Sequence, residues 1–107
     1  MPTVMTEEEY AHRVAAGEPL FETGKIVATQ GVMEVLGSGM QAKVLIMRHL
    51  SGDFGNLDKE DIEANNASIR SGEGMILSSY EGGEMPKVYV ITEHDRSVTT
   101  VLLPEEY

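Results

Sequence analysis

The sequence predicts an α+β fold, with N-terminal helices packed on a C-terminal three-stranded antiparallel β-meander. Three observations carry that expectation. Helix-capping residues and helix-ending glycines recur through the first two thirds of the chain. The last third holds β-branched or aromatic runs at Met75–Tyr80, Lys87–Thr92 and Val98–Leu103. Short, turn-rich segments separate these runs, which favours antiparallel neighbours.

In chain order, Thr6-Glu7-Glu8-Glu9 reads as a capping box. The Thr6 hydroxyl can accept the Glu9 amide while the Glu9 carboxylate reaches back. A helix from about Glu7 to Ala16 should follow and stop at Gly17, with Tyr10 and Val14 on one face. Glu18-Pro19 forces an extended exit. Lys25–Ala28 is a candidate additional strand, and Thr29 can cap a helical turn that ends at Gly37. Ser38-Gly39 is a break. The apolar stretch from Met40 to Leu50 fits a buried strand or a helix by periodicity, and helix is preferred. Asp58, with Asp61 three residues on, caps a helix that reaches about Arg70, with a thin inner stripe of Ile62, Asn65 or Asn66, and Ile69. Such a helix belongs at a surface. Pairing Tyr80 near Lys87 and Glu93 near Val98 would bury Leu77 and Ser79 with Val88, Val90, Thr92, Thr99 and Val101. Tyr80, Lys87 and Tyr89 would then stand on a partly open face as candidate binding residues.

The chain of 107 residues has room for one domain, with residues 1–5 expected to be flexible. It has no cysteine, which removes disulfides, thiolate zinc sites and cysteine nucleophiles together. Eighteen acids against eight bases give a formal charge of -10, the wrong sign for a protein that holds phosphate backbones. Direct nucleic-acid binding is therefore not expected. No apolar run is long enough to cross a bilayer, and the acidic N-terminus lacks the basic region of a signal peptide. A cytoplasmic protein without membrane attachment is the expectation.

Arg48-His49-Leu50-Ser51-Gly52-Asp53-Phe54-Gly55 is the densest functional-looking segment. In a catalytic version His49 is a general acid or base oriented by Asp53, with Arg48 beside it. In a structural version Ser51 and Asp53 hold the turn through its amides and Phe54 plugs the core, a loop spanning Ser51 to Gly55. The structural version is favoured. A second candidate set is Tyr89, His94 and Arg96, although hairpin turns such as His94-Asp95-Arg96 are commonly charged only because they are solvated. A site shared by His49 and His94 is not expected, because the topology places the two loops about 20 Å apart, the length of the helix between them. The histidines are dispersed and Asp61 takes the place where a calcium loop requires glycine, so neither metal nor cofactor is expected. No P-loop, G-x-G-x-x-G or G-x-S-x-G occurs.

Three segments, Lys25-Ile26-Val27-Ala28-Thr29, the Arg48–Gly55 loop and the ending Ile91–Tyr107, carry a resemblance. Over Lys25 to Tyr107 the chain resembles a small family of uncharacterised bacterial proteins that travel on plasmids and integrated mobile elements. Members sometimes carry labels borrowed from restriction-modification systems. This sequence departs from the family at His94, where a smaller residue is usual, and at Phe54, where tryptophan is. The first 24 residues lie outside the resemblance. The order of elements is also similar, at the level of fold alone, to RelE-like toxins and small barnase-like ribonucleases, without their basic surface. The leading expectation is a non-enzymatic accessory protein of mobile elements. It would bind a host protein, a defence or nucleic-acid-processing factor whose own surface is basic. The alternative is a metal-independent RNase-like enzyme.

Overall fold

The computed structural model describes residues 4–37 and 39–107. Three of the helices begin and end where local chemistry directs. In α1 (Glu7–Ala16) the Thr6 hydroxyl accepts the Glu9 amide at 3.1 Å, and Gly17 closes the helix in the left-handed conformation. Thr29 caps α2 (Gln30–Leu36) through the Val32 amide, and Asp58 caps α4 (Lys59–Ser71) through the Asp61 amide. The ambiguous apolar stretch is a helix, α3 (Gly39–Leu50), which turns Ala42, Leu45, Ile46 and His49 inward. Ser38 and residues 1–3 lie outside the described residues. Met5 is buried, and its amide donates to the Arg70 carbonyl at 2.7 Å.

The chain is α+β, with four α-helices and one four-stranded sheet among the described residues. Strands β2 (Ile76–Gly82), β3 (Met85–Thr92) and β4 (Val98–Leu102) form the expected antiparallel series. The segment Lys25–Ala28 is a strand, β1, and it pairs parallel to β4, so the sheet is mixed in the order β1-β4-β3-β2 rather than a pure meander. Its partner lies at the far end of the sequence. Neither composition nor connection length at Lys25 could name that neighbour.

The face assignment of β2 needs correction. Gly82 pairs with Met85 across a two-residue turn, and a regular ladder from there would set Tyr80 opposite Lys87. The register shifts between Tyr80 and Gly82, so Tyr80 faces Val88 instead. Pro86 sits where the extra residue is accommodated and has no N–H to give the ladder, which is the local chemistry of a bulge. A one-residue slip moves every β2 side chain to the opposite face. Ile76, Ser78 and Tyr80 therefore join Val88, Val90, Thr92, Thr99 and Val101 on the covered face, while Leu77 and Ser79 leave it.

Helices α2 and α3 cover that face. Val32, Leu36, Leu45 and Ile46 pack on Tyr80, Val88, Val90 and Val101, and each fully buried valine contributes on the order of 1.5–3 kcal/mol. A second cluster of Met5, Leu20, Phe54, Ile69 and Ile76 fills the other end, under α1 and α4.

The outer edge of β2 is sealed. The Asn65 amide group imitates a strand residue, donating to the Leu77 carbonyl at 2.6 Å and accepting the Leu77 amide at 3.0 Å. The Phe54–Asn56 segment serves Ser79 in the same way, with Ser79 N donating to the Phe54 carbonyl and Asn56 N to the Ser79 carbonyl, and the Asn56 side chain accepts the Glu81 amide. No outward amide is left on this edge at Leu77, Ser79 or Glu81.

That seal makes Gly55 sensitive. Its φ is +75° and an added Cβ would collide with the Ser79 carbonyl, whereas Gly83, at φ +59°, faces open space. Gly83→Ala should cost about 1 kcal/mol for the left-handed backbone alone, and Gly55→Ala about 3 kcal/mol or more. Urea unfolding of the two variants checks this; equal losses would contradict the described seal.

Candidate functional site

The end of α3 and the loop after it hold most of the residues that the sequence singles out. The Arg48 guanidinium meets Asp53 with two bonds, Nε to Oδ2 at 2.7 Å and Nη2 to Oδ1 at 3.3 Å. It also lies 4.5 Å from the centre of the Tyr80 ring. Asp53 Oδ1 accepts the Gly55 amide, Ser51 Oγ donates to the Arg48 carbonyl, and Phe54 is buried. The Arg48 bond holds the Asp53 carboxyl below its usual range. Tyr80 is fully enclosed and donates its hydroxyl to the Asp53 carbonyl at 2.7 Å, and burial pushes its phenol pKa up. Tyr80 is thus a core residue and not part of an open binding face, a consequence of the bulge in β3.

His49 leaves this loop network altogether. Asp53 does not orient it. Its ring is fully buried between α3 and the sheet, with Nδ1 at 2.5 Å from Ser78 Oγ and Nε2 at 3.0 Å from Thr92 Oγ1. Thr92 Oγ1 lies 2.7 Å from Thr99 Oγ1, and Thr99 donates to the Thr23 carbonyl at 2.8 Å. These contacts determine every proton. Thr99 has one hydroxyl hydrogen and gives it to Thr23, so Thr92 must give its own to Thr99. Thr92 can then only accept from His49, which carries its proton on Nε2, and Nδ1 accepts from Ser78. A single directed chain therefore runs from Ser78 through His49, Thr92 and Thr99 to the Thr23 carbonyl. Phe21 and Phe54 meet the imidazole edge-on. Burial lowers the His49 pKa to about 3, so the ring is neutral.

The second candidate set does not assemble. Arg96, at φ +61°, spends its guanidinium on four carbonyls: Nη1 on those of Gly74, Glu93 and His94, and Nη2 on that of Ser68 at the end of α4. His94 is exposed in the turn. Tyr89 lies five residues back along the strand, about 17 Å away at the rise of a β-strand, with its ring edge-on to Tyr107. Lys87 is exposed. His49 lies nearer the hairpin than expected, beside Thr92, yet it remains inside the core while His94 points to solvent. Among the described residues no three His, Asp or Glu side chains gather as metal ligands, and no helix is long and apolar enough to cross a membrane.

An open cleft of about 440 Å³ lies between α1, the end of α4 and the β3–β4 turn. Leu20, Phe21 and Ile69 supply apolar lining, and Glu9, Arg13, Glu22 and Asp95 supply charge. Comparison with protein families, with curated proteins and with solved structures finds no match for this chain.

Ser78, Thr92 and Thr99 were the residues hardest to read from sequence. The only signal was hydroxyls at strand positions that otherwise alternate with valine, and for Ser78 the register slip concealed even that.

The buried neutral imidazole gives a pH dependence of defined sign. Its folded pKa, about 3, lies below the ordinary value of 6.5, so the unfolded chain takes up a proton that the folded chain refuses. Stability attributable to His49 is fully present above pH 6.5 and falls by about 1.4 kcal/mol per pH unit once the pH drops below it. Urea midpoints at pH 7, 6 and 5 should decline in the parent. His49→Gln should start less stable and show a flatter slope over this range, the carboxylates contributing alike to parent and variant.

Proposed function

We propose that the chain is a non-enzymatic accessory protein of bacterial mobile elements that acts in the cytoplasm by binding a basic surface of a host protein, a defence or nucleic-acid-processing factor. The resemblance of the Arg48–Gly55 loop and of Ile91–Tyr107 supports the mobile-element setting. One observation carries the binding role: most of the candidate catalytic groups are engaged in bonds within the fold, and the acids face outward. His49 is enclosed, Arg48 is tied to Asp53, and Arg96 is bound to carbonyls. Helices α1 and α4 lie antiparallel, joined by Tyr10 to Asn66 and by Glu7 to Arg70. Glu7, Glu8 and Glu9 are therefore exposed at one end of this pair, and Glu60, Asp61 and Glu63 at the other. Such a surface attracts a basic protein and repels polyanions within a Debye length of about 8 Å at physiological salt.

The RNase-like alternative requires an exposed acid–base pair with a basic groove, and of His49 and His94 it is His94 that reaches solvent. Purified protein should neither bind nor cleave random RNA at about 150 mM salt. A lysine-rich protein probe should bind, with affinity that falls about tenfold on raising salt to about 500 mM and on combining Glu8→Lys with Glu63→Lys. RNA cleavage by the parent that His94→Ala abolishes would replace this reading with the enzymatic one. His49→Ala is a poor test of catalysis, because it dismantles the core chain of hydrogen bonds.

A further inference from the structure

The strongest unexplained surface is the outer pole of α3. Around this helix Ala42, Leu45, Ile46 and His49 face the core, and the opposite pole is Met40, Val44 and Met47, at 69%, 48% and 68% exposure. Their spacing of four and then three residues is the seam by which one helix packs along another. A helix that is apolar on both sides belongs in an interior covered on both sides, and this fold covers only one. Methionine adds a long, adaptable apolar side chain suited to a docking surface.

Charge narrows the occupant. Acids outnumber bases 18 to 8 in the chain, yet none occurs between Glu34 and Asp53, the stretch that contains all of α3. Lys43 is exposed on one flank of the seam, and Gln41 and Arg48 lie on the other, where Arg48 is already paired with Asp53. We propose that the outer face of α3 is a docking site for an amphipathic helix of another protein, apolar along its seam and acidic on the flank that meets Lys43. A second copy of this chain fits worse, because its acid-free α3 offers nothing to meet Lys43 and it adds a second net charge of -10. The site uses a different element from the acidic α1–α4 pair and does not rest on the basic-partner reading.

Two synthetic helical peptides with the same leucine seam, one flanked by glutamate and one by lysine, test the assignment. In fluorescence anisotropy the binding that depends on Met40 and Met47 should be at least about tenfold tighter for the glutamate peptide, any binding of the lysine peptide to the acidic α1–α4 pair being insensitive to those residues, and amide exchange should slow along α3. Met40→Gln with Met47→Gln should weaken binding about tenfold or more without shifting the melting temperature, since both side chains are exposed. Lys43→Glu should reverse the preference between the peptides. Failure of both peptides to bind, equal methionine-dependent binding of the two, or indifference of the glutamate peptide to the methionine substitutions would overturn the proposal. Sedimentation that shows a dimer abolished by Met47→Gln would assign the face to a second copy instead.

Discussion

The buried hydrogen-bond chain through His49 is the constraint on which the arrangement of the molecule depends. It crosses the sheet from Ser78 on β2 to Thr92 on β3 and Thr99 on β4, and leaves it at the Thr23 carbonyl just ahead of β1. Thr92 and Thr99 each donate and accept, Ser78 donates, and both ring nitrogens of His49 are paired, in a region where an unpaired group costs about 1–3 kcal/mol. A chain with one proton per link also permits one arrangement only. Shifting β2 by a residue, or rotating α3 by a quarter turn, would leave several buried groups unmatched at once. The apolar clusters on either side of His49 tolerate small displacement better, because dispersion and burial are non-directional.

From this interior the functional-looking loop acquires its shape. His49 and Arg48 are consecutive on α3 and point in different directions, one into the sheet and the other along the protein surface to Asp53. The loop residues after Asp53 then lie against β2, where Phe54 and Asn56 pair with Ser79 and Tyr80 reaches back to the Asp53 carbonyl. What reads as a catalytic cluster of base, imidazole, hydroxyl and carboxylate is divided between two separate bonding networks. A segment dense in such residues closes a sheet edge as readily as it builds an active site.

Charge is distributed as sharply as polarity. The helices on the α1–α4 side begin with exposed acids, where the helix dipole favours them, whereas α3 carries none. An acidic surface and an acid-free apolar helix on one small chain suit a protein that works through contacts with other macromolecules. Of the candidate catalytic side chains, His49, Arg48, Asp53 and Arg96 are occupied within the fold, and His94 is exposed.

Local chemistry determined much of this structure without help from distant residues. Thr6, Thr29 and Asp58 start helices because a side-chain oxygen can satisfy an orphan amide within the same turn, and Gly17, Gly37 and Gly72 end them because glycine accepts a left-handed backbone. The α+β class and the β3–β4 register were legible for the same reason, since strand propensity and a short turn are properties of neighbouring residues. Three features were not. The parallel pairing of β1 joins segments from opposite ends of the chain, the bulge beside Pro86 decides which face Tyr80 occupies, and the partners of His49 come from three strands. Each depends on which side chains meet after the chain has folded. Sequence neighbours carry no record of that, because burial and directed hydrogen bonds are set by neighbours in space.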